Sequence, residues 1–252
     1  MRVATKTLIV CCVPLLLALA QTVQARCDAP AAPRVNWTGC DKQGVDLRGA
    51  DLRGAIMRNI RLDGADLSEA LLAGAELSFA NLEGANLSQV RMNDARLVSA
   101  RLAGINLNAA LLDNTVFDRA DLQNATLRAA SLRQANLYQA KLNGADLHEA
   151  DLSKAQLRQA VLDGANLEAA ILDEADLQRA SLDSASLRNA SMQRARLDDS
   201  KLHFADLRGA NLQRASLVNA ILFETRFEGS ILGGANWVDR KRCRLDSGDT
   251  CD

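Results

Sequence analysis

The sequence predicts an all-β solenoid with four short sides to each coil, and three observations carry that prediction. First, every fifth residue from Leu47 to Trp237 is large and apolar. Of these 39 positions 33 are Leu, and the others are Met57, Met92, Phe117, Met192, Phe227 and Trp237. Second, the residue two places earlier is small. From 50 to 235 this series has 38 positions, 31 of them Ala, and the exceptions Ile60, Val90, Ile105, Thr115, Ser200, Thr225 and Ser230 are small or β-branched. Third, 13 of the 15 Gly fall two residues after the large position, and Gly64, Gly84, Gly104, Gly144 and Gly164 recur at multiples of 20, with Asn124 filling the gap.

A period of five excludes a helix. Each step turns an α-helix by ~500°, so successive Leu residues drift around it and form no apolar stripe. On an extended strand residues two apart share a face, so a small-x-large triplet points both side chains inward. The next small residue comes three positions later, out of phase with a continuing strand, so the chain must turn there. Gly marks the turn because it takes φ > 0 without steric cost, and Asn is a good substitute. The 20-residue recurrence then makes four repeats per coil. All three Pro precede residue 34, where they remove no donor from the bonds between coils. The same geometry explains an aromatic content of only 3%: each side has room inside for one large and one small residue and little more.

The elements follow in order. Residues 1–25 read as a signal peptide: Arg2 and Lys6, a 13-residue apolar run from Leu8 to Ala20, then Val23-Gln24-Ala25 with cleavage after Ala25. Thirteen residues at ~1.5 Å each do not cross a ~30 Å hydrocarbon core, so no stable membrane anchor is expected. Arg26 before Cys27 departs from a lipoprotein site. The chain is therefore expected to be exported, periplasmic or secreted. Residues 26–44 form an N-terminal cap with Cys27 and Cys40, residues 45–239 the solenoid, and residues 240–252 a C-terminal cap with Cys243 and Cys251. Of the six cysteines, Cys11 and Cys12 leave with the signal peptide, and the remaining four in an oxidising compartment give two disulfides, with three pairings open.

The run ADLSEALLAGAELSFANLEGANLS, residues 65–88, resembles the pentapeptide repeat proteins, whose pattern is A-(D/N)-L-x-x. The resemblance covers about residues 35 to 237 and implies a right-handed quadrilateral β-helix with Leu-like residues inside. At four repeats per coil the chain forms about ten coils, a rod ~45–50 Å long. Bridged Cα atoms sit within ~7 Å. On such a rod Cys27 and Cys40 lie at one end and Cys243 and Cys251 at the other, which predicts the pairs Cys27–Cys40 and Cys243–Cys251. Lys42 occupies a large position, so the first coil is expected to be irregular there, with the amine snorkelling to the open end.

Placed on four sides, the polar residues converge on no chemistry. His148 and His203 are 55 apart, not a multiple of 20, and fall on different sides. No metal motif, phosphate loop or nucleotide fingerprint occurs, so no catalytic site, cofactor or metal is expected. Asp63, Glu83, Asp163, Asp183 and His203 stack in one ladder. It reads as solvated carboxylates; a weak Ca²⁺ site is the alternative. Asp46, Asp66, Asn86, Asn106, Asp146 and Asn166 form another, expected to bond to adjacent turns and to each other. Outward apolar residues are more informative. Phe204, Ile221 and Phe223 share one side near the carboxyl end, with Val218 and Val238 on the neighbouring one. They read either as a contact surface or as a patch covered by the tail.

The net charge of −1, from 30 basic and 31 acidic residues, argues against nucleic-acid binding and against an acidic mimic. The run Arg240-Lys241-Arg242 with Arg244 lacks interleaved aromatics and reads as a solvated cap. The resemblance also implies a DNA-mimicking, topoisomerase-interacting activity found in some members. Those are cytoplasmic, strongly acidic and dimerise through a C-terminal helix, and this chain departs on all three points. Ice binding needs a flat Thr array, for which Thr115, Thr126 and Thr225 are too few. The expected function is an exported, non-enzymatic rigid scaffold or rod that binds an unidentified protein partner. A secreted virulence or host-contact factor is the variant of that reading.

Overall fold

The computed structural model describes residues 25–251. All of the expected signal segment except Ala25 lies outside the described residues.

One repeat, Ala50-Asp51-Leu52-Arg53-Gly54, shows how the fold is built. Asp51 pairs in parallel with Leu71, twenty residues on. The Leu52 N–H donates to the Leu71 carbonyl at 2.8 Å and the Leu71 N–H to the Ala50 carbonyl at 2.9 Å. The Gly54 N–H reaches the Ala73 carbonyl at 2.9 Å, and Ala55 N–H closes the turn onto Leu52 at 3.0 Å. In a repeat with a coil on either side, as at Ala70–Gly74, four of the five backbone donors are thus bonded to backbone. The remaining donor is that of the first turn residue, and on Arg53 it goes to the Asp51 side chain at 3.3 Å. That last bond is the physical reason for Asp or Asn before the large residue: an acceptor there satisfies a donor that the coil geometry leaves over.

The parallel bridges run from Asn36↔Ile56 to Ser216↔Asn236 at the same twenty-residue offset. The sides are named here by their inward residues: side 1 carries Leu47, side 2 Leu52, side 3 Met57 and side 4 Leu62, each recurring every twenty residues. One continuous core runs from Trp37 to Cys243. Its fully buried aromatics Trp37 and Phe117 lie on side 3, as does half-buried Trp237, whose ring centroid is 5.5 Å from that of Phe227 on side 1. The small series keeps the corners tight, and three of its four polar members are bonded inside: Thr115 to the Met92 carbonyl at 2.8 Å, Ser200 to Leu197 at 2.6 Å, Thr225 to Leu202 at 2.7 Å, while the Ser230 hydroxyl is buried without a partner.

The turn departs from expectation in one respect. Every second turn residue from Arg34 to Gly234 has φ between 52° and 73°, whether or not it is Gly. Even Phe79 and Phe204 adopt it, at 60° and 58°. This is the third position of a type II turn. The left-handed conformation costs an ordinary residue roughly 1–2 kcal/mol, and its N–H bond to the next coil offsets that.

The two ends are closed differently. At the N-terminal end Cys27 is bonded to Cys40, with Cα atoms 5.4 Å apart. Trp37 is buried and donates to the Ala29 carbonyl at 3.2 Å. Lys42 holds its amine 4.3 Å from the Trp37 ring and donates to the Cys27 carbonyl at 3.0 Å. The expected irregularity at Lys42 is absent: Asp41 bridges Arg61 and Lys42 N–H reaches the Arg61 carbonyl at 2.8 Å. The amine finds partners at the rod end, so the strand need not break. The ladder itself begins at Asn36, inside the stretch expected as a cap.

At the other end the tail turns back through an antiparallel Asn236↔Arg242 bridge. Carbonyls of Lys241, Arg244 and Gly248 accept from Trp237, Gly234 and Leu232. Cys243 is bonded to Cys251. Gly233, outside the turn series, is explained here: a Cβ would lie 2.5 Å from the Leu245 carbonyl oxygen. Among the described residues no helix is long and apolar enough to cross a membrane.

Candidate contact surface

Bridge and turn residues point away from the core, which is what places Phe204, Ile221 and Phe223 outside. Phe204 is a second turn residue on side 4; Ile221 and Phe223 are the bridge and first turn residues of the next coil on that side. Phe204 and Phe223 meet edge to face, centroids 5.5 Å apart and planes at 87°. They are 53% and 56% exposed, and Ile221 is 45% exposed. His203 joins from below, its ring 6.4 Å from Phe223 and its Nδ1 2.8 Å from Asp183. Val218 and Val238 are half-buried on side 3, and Val238 packs against the core beside the tail. They do not extend the aromatic pair. The tail's backbone bonds to sides 2 and 3, its Asp249 carboxylate accepts the Gly229 N–H of side 1 at 3.3 Å, and in the described residues its backbone leaves Phe204 and Phe223 uncovered.

Sequence reasoning missed Phe79, 59% exposed at a corner of side 3. The signal was present, because Phe79 stands at the same turn phase as Phe204. It also missed that outward apolar residues recur on side 2, at Leu111, Ile171 and Ile231.

The carboxylates of the acidic ladder are bonded along the rod. Asp163 accepts from the Asp183 N–H at 3.1 Å, Asp183 from the His203 N–H at 3.0 Å, and Glu83 from Arg101 at 2.7 Å. Among the described residues no His, Cys, Asp and Glu group is placed to hold a metal ion. On side 1 the Asp/Asn ladder bonds as expected: Asn86 to Asp66 at 3.1 Å, Asn106 to Asn86 at 3.0 Å and Asn166 to Asp146 at 2.9 Å. At its head, the Arg48 guanidinium holds Asp46 down to about 2. In the tail, Lys241 pairs with Asp239 at 2.9 Å and Arg244 with Asp246 at 3.1 Å, while Arg242 reaches the Gly234 carbonyl at 3.4 Å. These contacts place the basic run within the cap.

The five-residue cycle, the inward Leu column and the twenty-residue ladder find their counterpart among known proteins. The pentapeptide repeats pattern matches residues 32–59, 58–89, 95–134, 130–168, 160–199 and 200–236. The chain belongs to the pentapeptide repeat family. HetL, a pentapeptide repeat protein involved in heterocyst differentiation regulation from the cyanobacterium Nostoc, is 32% identical over 83% of this chain and 92% of its own, with a TM-score of 0.46. QnrB1, a plasmid-mediated fluoroquinolone resistance protein, is 19% identical in a trypsin-treated form. It covers 69% of this chain and 89% of that one with a TM-score of 0.63, a likeness of fold. No curated protein matches the chain. As a pentapeptide repeat protein it takes the right-handed β-helix of its structural relatives.

Proposed function

We propose that this pentapeptide repeat protein is an exported, non-enzymatic rod of about ten coils that binds a protein partner through the side 4 surface at its carboxyl end. The observation carrying this reading is the aromatic pair Phe204–Phe223 with Ile221, about half exposed, whose two rings meet edge to face on the outside of the rod. Exposed apolar clusters of this kind mark contact sites. Two terminal disulfides and the charged, short-run apolar leader favour an oxidising compartment. The near-neutral charge disfavours a duplex-DNA mimic.

The test has two arms. Residues 1–30 fused to a reporter active only outside the cytoplasm should give signal, and a silent reporter refutes export. Partners co-purifying with the wild-type chain should be lost from Phe204→Ser and Phe223→Ser variants. Retention of every partner refutes the contact surface.

A further inference from the structure

The tail's backbone closes the last coil on two sides only; on side 1 the Asp249 carboxylate accepts the Gly229 N–H at 3.3 Å. On sides 2 and 3 the tail supplies carbonyls to Leu232, Gly234 and Trp237. On sides 4 and 1 the N–H groups of Leu222, Glu224 and Phe227 meet no backbone carbonyl among the described residues, and the Ala220 and Thr225 carbonyls meet no N–H. The inward residues there, Leu222, Thr225 and Phe227, are half-buried, unlike the fully buried Leu of coils below. An open groove of 590 Å³ runs along this edge, lined by Glu224, Thr225, Phe227, Glu228 and Asp249, among others.

Resting on the protein-binding reading above, we propose that this half-coil is a strand-addition site for an extended, basic and apolar polypeptide segment. The hydrogen-bond pattern selects a polypeptide. Everywhere in the rod a bridge residue donates to the small residue's carbonyl one coil back and accepts from the large residue's N–H. Ile221 does so with the Ser200 carbonyl at 2.9 Å and the Leu202 N–H at 2.9 Å. Ala220 with Leu222, and Thr225 with Phe227, are two such stations with no bridge residue, and a backbone amide unit supplies the matching donor and acceptor. The half-buried Leu222 and Phe227 select apolar side chains pointing inward. Glu224, Glu228 and Asp249 outnumber Arg226, which lies 3.8 Å from Glu228, so the rim selects positive charge.

The probe is a synthetic peptide, Ala-Lys-Leu-Arg-Gly repeated twice, added to the full processed chain. Amide exchange at Leu222 and Phe227 should slow about tenfold, equivalent to one net hydrogen bond each. An analogue N-methylated at both Lys residues should bind about tenfold more weakly, as should an analogue with Glu for Lys and Arg. Unchanged exchange at both amides, or equal binding by the N-methylated analogue, overturns the proposal. If exchange is unchanged while Phe204→Ser and Phe223→Ser still lose their partners, the strand site fails and the aromatic surface stands. Protection that appears without peptide and grows with protein concentration assigns the edge to a second copy and also overturns it.

Discussion

Asp146 shows what a single side chain contributes to this fold. One carboxylate accepts from the His148 N–H at 3.2 Å, from Asn166 at 2.9 Å and from Arg128 at 2.9 Å. Burial pushes its pKa up, and these bonds outweigh burial and lower it. Asp146→Ala should cost about 1 kcal/mol, through the turn donor it leaves unpaired. Asp146→Asn should cost less, since Asn86 and Asn166 cap their own turns; thermal unfolding of both variants checks this. Asp46, held down to about 2 by Arg48, has its pKa depressed on folding, so its contribution is complete above the ordinary carboxylate value near 4 and is lost as pH falls through about 2. A side-chain titration followed by NMR should place its midpoint well below that of a peptide Asp. Asp118 has the opposite sign. Its Oδ1 is buried without a partner, Val98 and Tyr138 hold the equivalent positions one coil either way, and burial raises its pKa. Asp118→Asn should therefore raise the melting temperature slightly at pH 7 and leave it unchanged near pH 3. The Asp/Asn ladder was legible in the sequence because its period is strict. The discomfort of Asp118 was not, because it depends on which side chains lie above and below.

At the scale of the turn, glycine misleads in an instructive way. Its phase identified the turn, yet the left-handed conformation belongs to every second turn residue. Where glycine is required, the reason lies in the neighbouring coil: a Cβ on Gly144 or Gly209 would come within 2.7 or 2.4 Å of an Asn side-chain oxygen, whereas at Gly64 and Gly104 it meets open space. Gly233 is the stricter case, since it faces a backbone oxygen that cannot swing aside. Gly233→Ala should lift the tail, at roughly 1–3 kcal/mol of overpacking, and speed proteolysis between 240 and 251 without changing the melting of the rod. The tail's path over sides 2 and 3 was beyond sequence reasoning, because residues after Trp237 carry no repeat to set their register. Lys42 failed as an expectation for a related reason: its effect depended on where the N-terminal cap placed the Cys27 carbonyl.

At the scale of the molecule, no repeat holds its own core, so stability is shared along the stack and its weak points are the ends. Opening both disulfides should fray the terminal coils first, seen as faster amide exchange near Trp37 and Trp237 while the coils around Phe117 stay protected. Truncation after Asp239 should leave all four sides of the last coil unpaired and promote end-to-end association, measurable by light scattering.

The constant twenty-residue offset between bridges has one more consequence. It makes residue number a compass bearing. A duplication of twenty residues upstream would only carry Phe204 and Phe223 farther along the axis. A duplication of a single repeat would leave the core intact yet swing the pair a quarter turn, onto another wall of the rod. Gene length in such a chain thus encodes direction as well as distance, and a surface can be re-aimed without altering any residue in it.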